Sequence, residues 1–208
     1  MASLADIITV AGGGRGAAVA RAVRELQHGR LVCLPTDTVY GVAAMPDMST
    51  ELYAAKDRAS GKPIALLASD EDAVRGLGVV LNRQGRRLAD AFWPGPLTLV
   101  VDVGDRTEGV RVPDCDLARE IIRACGGLLR VTSANRSGEP PARTAAQAAA
   151  AMGESVAVVI DGGPVPGGVA SSVVRVGAEG ICVIREGALS GRQIENVLGD
   201  SEESKANG

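Results

Sequence analysis

Aromatic residues are nearly absent: Tyr40, Tyr53, Phe92 and Trp93 are the whole set in 208 residues. The core must therefore be aliphatic, and a chain of this length still buries a large one. The shortage argues against a base-stacking platform of the kind single-strand RNA binders use. Histidine is scarcer still. His28 is the only one, too little for a Cys/His zinc site, so no metal-binding residues are expected. It offers no Ser-His-Asp or Cys-His arrangement either, and at the end of a helical stretch it reads as a C-terminal cation. No G-x-S-x-G elbow is present.

Cys33, Cys115, Cys125 and Cys182 form no C-x-x-C pair. Three of them sit in apolar or helix-like surroundings and read as buried, reduced thiols. No apolar run approaches ~20 residues, so no membrane-spanning helix is expected. The opening MASLADIITVAGGG has no basic stretch ahead of its apolar residues, so no secretory signal is expected. Net charge is only −3, and nothing in the overall balance marks a nucleic-acid binder.

What is present is an ordinary globular composition, 46% hydrophobic and 23% charged, which excludes a disordered or collagen-like chain. Apolar runs and helical spacing alternate. Strands are expected at residues 6–10, 31–34, 63–68, 97–103, 109–112, 128–132, 156–160, 172–176 and 181–185. Helices are expected at 17–27, 50–58 with Thr50 as its cap, 71–77, 84–92, 116–125, 144–152 and 193–198. That order predicts one α/β domain over residues 1–199, a twisted mixed sheet flanked by helices, with a polar, disordered tail at 200–208. Gly12–Gly14 lacks the G-x-x-x-x-G-K-[ST] spacing of a phosphate loop and reads as a turn.

Four segments carry polar groups just after apolar strands, and strand ends are where open α/β sheets hold ligands. Pro35–Gly41 brings two hydroxyls, a carboxylate and a phenol, and reads as a capped turn or a ligand loop. Lys56, Arg58 and Lys62 put three cations within seven residues. On a regular helix Lys56 and Arg58 diverge by roughly 160–200°, so they converge on one anion only if the helix ends there. Such a group suits a polyphosphate, or is simply a solvated basic turn. Thr132–Gly138 offers Ser, Asn and exposed N–H groups, fit for a phosphate or carboxylate or for an Asx turn. Ser171–Val174 and Arg185–Gly187 supply hydroxyls and an Arg near strand termini.

Taken in order, PTDTVYG, KDR with GKP, WPGPLTLVV, RVP, TSANRSGEPP, SSVV and IREG resemble the YrdC-type threonylcarbamoyl-adenylate synthases, from about Val23 to Gly187. The length suggests the short, single-domain form. The resemblance implies a twisted open sheet with a large concave, positively lined cavity. It implies that L-threonine, bicarbonate and ATP, with Mg2+ accompanying the nucleotide, give threonylcarbamoyl-AMP and pyrophosphate. A threonylcarbamoyl-transferase complex would then modify adenosine 37 of tRNA, in the cytoplasm.

Lys56, Arg58, Ser133 and Asn135 match the family's Lys-x-Arg and Ser-x-Asn quartet, expected to be catalytic. Arg58, Lys62, Thr132, Ser133, Asn135 and Arg185 are expected on ATP; Thr36, Tyr40, Arg111, Ser171 and Ser172 on threonine. The chain departs from the family at Ile64–Leu67, which lacks a histidine, and at Arg175, where many members carry Asp. Other readings are an RNA-binding or ribosome-associated module on this fold with little or no synthesis, and a carbamoyl-transfer domain using carbamoyl phosphate.

Overall fold

The structure is a computed structural model and describes residues 5–56, 63–177 and 180–199. In chain order its elements are β1 (Asp6–Thr9), α1 (Arg15–Gln27), β2 (Val32–Leu34), β3 (Gly41–Ala44), α2 (Ser49–Ala55), β4 (Leu66–Ala68), α3 (Glu71–Gly76) and α4 (Arg83–Phe92). There follow β5 (Leu97–Val103), β6 (Arg106–Arg111), α5 (Asp116–Ala124), β7 (Leu128–Ser133), α6 (Ala145–Met152), β8 (Val158–Asp161), β9 (Ser172–Gly177), β10 (Gly180–Arg185) and α7 (Gly191–Gly199).

The strands form one mixed sheet ordered β1-β8-β2-β3-β7-β4-β6-β5-β9-β10. The α/β mixed sheet is as expected, and β3 is an addition. The expected tail and the residues Arg58 and Lys62 lie outside the described residues. Thr50 does not cap α2: the helix begins at Ser49, with Met48 at the cap position and no side chain bonded there. Asp70, Asn82 and Thr144 do cap α3, α4 and α6, each accepting an N–H three residues on.

Strand side chains alternate between the two faces, and that alternation divides the core. Val32 and Leu34 of β2 and Val158 and Ile160 of β8 pack with Ala18, Ala22 and Leu26 of α1 and Ile121 and Ile122 of α5. Cys33, Val42, Ala44 and Val159 turn the other way, against Leu52 of α2 and Ala145, Ala148 and Ala149 of α6. Fully burying one such Ile or Leu contributes about 1.5–3 kcal/mol.

In the second half of the sheet, Leu97, Leu99 and Val101 of β5, Val110 of β6 and Val174 and Val176 of β9 pack under Leu88 and Ala89 of α4 and Ile194 of α7. The intervening residues Thr98, Val100, Thr107, Gly109, Arg111 and Val173 line a cavity. The register confirms one face: Thr98 pairs with Val173, and Val100 with Gly109. The β5–β6 hairpin turns on Gly104-Asp105, with Gly104 at φ +59°, a value that favours glycine in a two-residue turn.

Candidate functional site

The cavity encloses about 390 Å3, within the range of small-molecule sites. Its floor is the exposed parity of β5, β6, β7 and β9, so the site lies across a sheet face. Strand ends, where it was expected, supply only part of the wall. Gly41 keeps the floor open at β3: a Cβ there would run into the Val131 side chain.

One wall is an ion pair. Arg111 is 5% exposed and its Nη2 meets Asp37 Oδ1 at 2.5 Å. Its Nη1 donates to Thr38 Oγ1 at 3.0 Å and its Nε to Gly95 O at 2.9 Å. Burial pushes the Arg111 pKa down, and the Asp37 carboxylate opposes that shift. Three directed bonds fix the guanidinium plane beside the cavity. Thr36 also lines the cavity, but its hydroxyl donates to Val39 O at 2.7 Å and accepts the Thr38 N–H at 3.2 Å. It therefore shapes the Thr36–Val39 turn.

Thr132 and Ser133, at the end of β7, also line the cavity. Lys56, the residue after α2, is 4% exposed and its ammonium reaches both. Nζ lies 3.2 Å from Ser133 Oγ and 3.5 Å from Thr132 Oγ1, and it donates to Ser133 O. Ser171 and Arg185 complete the lining. Ser171 Oγ shares a hydrogen with Thr98 Oγ1 at 2.8 Å, and Arg185 Nη2 donates to Ser171 O at 2.7 Å. Among the described residues, Ser133, Thr132, Thr36, Arg111, Ser171 and Arg185 thus line one cavity, and Lys56 joins them through its bonds to Thr132 and Ser133.

Four expected residues do not line it: Lys56 sits behind Thr132 and Ser133, and Tyr40, Ser172 and Asn135 are turned elsewhere. Tyr40 is fully buried between the cavity-lining Val39 and Gly41, so alternation turns its ring to the far side. There its hydroxyl donates to Gly163 O at 2.7 Å, and burial pushes its pKa up. Ser172, fully buried between Ser171 and Val173, is turned away for the same reason. Its hydroxyl accepts the N–H groups of Gly187 and Leu189 at 2.9 Å each and donates to Leu189 O. It ties the loop after β10 to the sheet. Asn135 spends its amide N–H groups on Arg136 O and Glu139 O, while its Oδ1 is buried without a partner among the described residues.

The threonine hydroxyls of Thr98 and Thr107 escaped the reading of the sequence, whereas that of Thr38 was one of the two counted in Pro35–Gly41. Thr98 carried a signal: it is the polar residue in the otherwise apolar run Leu97–Val101. Of the cysteines, Cys33 and Cys125 are buried, Cys115 is half-buried, and Cys182 is exposed, so two are fully buried where three were expected.

The sequence profile of the Sua5/YciO/YrdC family, described as "Telomere recombination", matches residues 24–187. The chain belongs to this family. A Mycobacterium tuberculosis relative is 36% identical over 198 residues, covering 89% of this chain and 91% of that one. A Bacillus subtilis protein named threonylcarbamoyl-AMP synthase is 32% identical over 195 residues, covering 87% of this chain and 56% of its own. The crystal structure of Pyrococcus abyssi Sua5 complexed with L-threonine superposes with a TM-score of 0.84 at 27% identity, over 95% of this chain and 61% of that one. The chain therefore spans a little over half of these two longer relatives. As a Sua5/YciO/YrdC member it shares their sheet, and the motifs quoted for the resemblance fall inside the matched span.

Proposed function

We propose that the protein makes threonylcarbamoyl-AMP and pyrophosphate from L-threonine, bicarbonate and ATP. The observation that carries this reading is the cavity itself, lined by both Arg111, which Asp37 holds, and Ser133, which Lys56 holds. Relatives named for this synthesis support it.

The chemistry suits such a site. The threonine amine adds to bicarbonate carbon and water leaves, giving N-carboxythreonine. One carbamate oxygen then attacks the α-phosphorus of ATP, the bond to the bridging oxygen of pyrophosphate breaks, and pyrophosphate departs. This transfer needs positioning and charge neutralisation more than covalent help. Arg111, held edge-on by Asp37 and Thr38, takes the amino-acid carboxylate. Thr98 and Ser171, on the floor beside it, face the threonine side. Lys56 stands by the reacting carbamate and phosphate, with Ser133 and Arg185 on the nucleotide side. Arg58 and Lys62 are assigned to the triphosphate, and Asn135 Oδ1 to a nucleotide donor.

Magnesium is read as part of the substrate, carried on the ATP phosphates, where Mg2+ usually keeps most of its ligands. Among the described residues no three His, Cys, Asp or Glu side chains converge to hold a metal. No described helix is long and apolar enough to cross a membrane. The product would pass to a transferase complex that modifies tRNA, in the cytoplasm.

The deciding experiment measures pyrophosphate release from ATP with Mg2+, with threonine and bicarbonate supplied together or singly. Release that requires both supports the reading. ATP binding without such release points to another acceptor. Salt-sensitive tRNA binding without ATP binding would favour an RNA-binding module on this fold.

A further inference from the structure

On the face opposite the cavity, Arg130 of β7 and Glu108 of β6 form a buried, forked ion pair. Nη1 meets Oε2 at 2.6 Å and Nη2 meets Oε1 at 2.9 Å, with the side chains 15% and 8% exposed. Glu108 also takes Arg106 Nε at 3.4 Å. A bidentate pair of this kind holds geometry as well as charge.

Its place in the sheet gives it a task. β4 lies between β7 and β6 and is only three residues long, beginning where Leu66 pairs with Arg130 on one side and Val110 on the other. The ion pair reaches across that strand's entrance. Arg130 Nη1 also donates to Ile64 O at 2.7 Å, and its Nε to Pro46 O at 3.4 Å. Pro63, Ile64 and Ala65 form a wall of the cavity. Pro46 precedes α2, a seven-residue helix too short to hold itself in place, whose end delivers Lys56. One guanidinium therefore ties β6, the cavity wall and the entry to α2, on the same strand that ends in Ser133.

We propose that Arg130, steered by Glu108, is a positioning residue for the reaction: it anchors the chain on both sides of Lys56, so that Lys56 and the 63–65 wall keep their places against Ser133. The inference rests on the synthase reading for its kinetic consequence, not for the anchoring.

The test uses the full chain. Arg130→Met alone leaves the buried Glu108 with only the exposed Arg106 at 3.4 Å and is expected to lower Tm; Arg130→Met with Glu108→Leu removes both charges and restores it. The double variant separates positioning from stability. Its Tm should return close to wild type, while threonine-dependent kcat falls about tenfold or more, since small displacements of reacting groups are costly in rate. Amide exchange in peptides covering residues 63–66 should be faster, and that at β2 and β8 unchanged. Wild-type exchange at 63–66 in the double variant overturns the anchoring. Faster exchange with wild-type kcat overturns the positioning role. A wild-type enzyme that makes no threonylcarbamoyl-AMP removes the synthase reading, and the exchange measurement still decides whether Arg130 anchors the wall.

Discussion

Lys56 and Ser133 stand 77 positions apart in the chain, yet the Lys56 ammonium lies 3.2 Å from the Ser133 hydroxyl and donates to its backbone oxygen. β3 pairing with β7 brings Gly41 opposite Ser133, and the connection through α2 returns Lys56 to the same point.

Lys56→Ala should lower adenylate formation by about 100-fold or more, the scale seen when one transition-state donor is removed. The fold should survive, because Thr132 and Ser133, which it bonds, border the cavity and not the apolar core. Circular dichroism with a pyrophosphate assay checks both halves. Wild-type turnover in this variant removes Lys56 from the machinery.

Removing one member of the Arg111–Asp37 pair should act on binding and stability together. Asp37→Ala leaves a nearly buried guanidinium uncompensated, expected to destabilise by about 3–5 kcal/mol. Arg111→Lys should not rescue threonine binding, because an ammonium cannot reproduce bonds to Asp37, Thr38 and Gly95 from one planar fork. Urea denaturation and threonine calorimetry read the two effects separately.

Ser171 and Ser172 should part company. Ser171→Ala is expected to raise KM for threonine with little change in Tm. Ser172→Ala strands two buried N–H groups, at Gly187 and Leu189, and is expected to lower stability by about 1–3 kcal/mol. A Tm loss at Ser171 and none at Ser172 would reverse the assignment.

Alkali should reveal the buried thiols. Burial pushes the Cys33 pKa from 9.0 up to about 12, and that of Cys125 up to about 11. Both are raised on folding, so their contribution is complete below pH 9, where the unfolded thiols are protonated. It is lost as pH rises from 9 towards 12. Stability measured in urea should decline across that window, and Cys33→Ala should flatten the decline. In native protein at pH 8, Cys182 should alkylate first.

The reading of the sequence located most elements because their signals are local: apolar runs and helical spacing; the caps Asp70 and Asn82 were not among its signals, and Thr50, the one it named, does not cap. β3 was missed for a physical reason. Gly41-Val42-Ala43-Ala44 has little strand propensity of its own, and it is held by pairing with β2 and β7. β6 likewise runs from Arg106, further back than its apolar end suggests, because the hairpin with β5 recruits Arg106 and Thr107.

The residues' chemistry was decided by the sequence alone: few aromatics, one histidine, and the ordered motifs that carry the family resemblance. Which of those residues face the cavity was decided only by tertiary structure. Period-two alternation sends Val39 and Gly41 inward and Tyr40 outward, Ser171 inward and Ser172 outward, and the parity is set by strand register. Arg130 and Glu108 carry no motif, and their partnership exists only because β4 is short enough to leave its entrance for them to span.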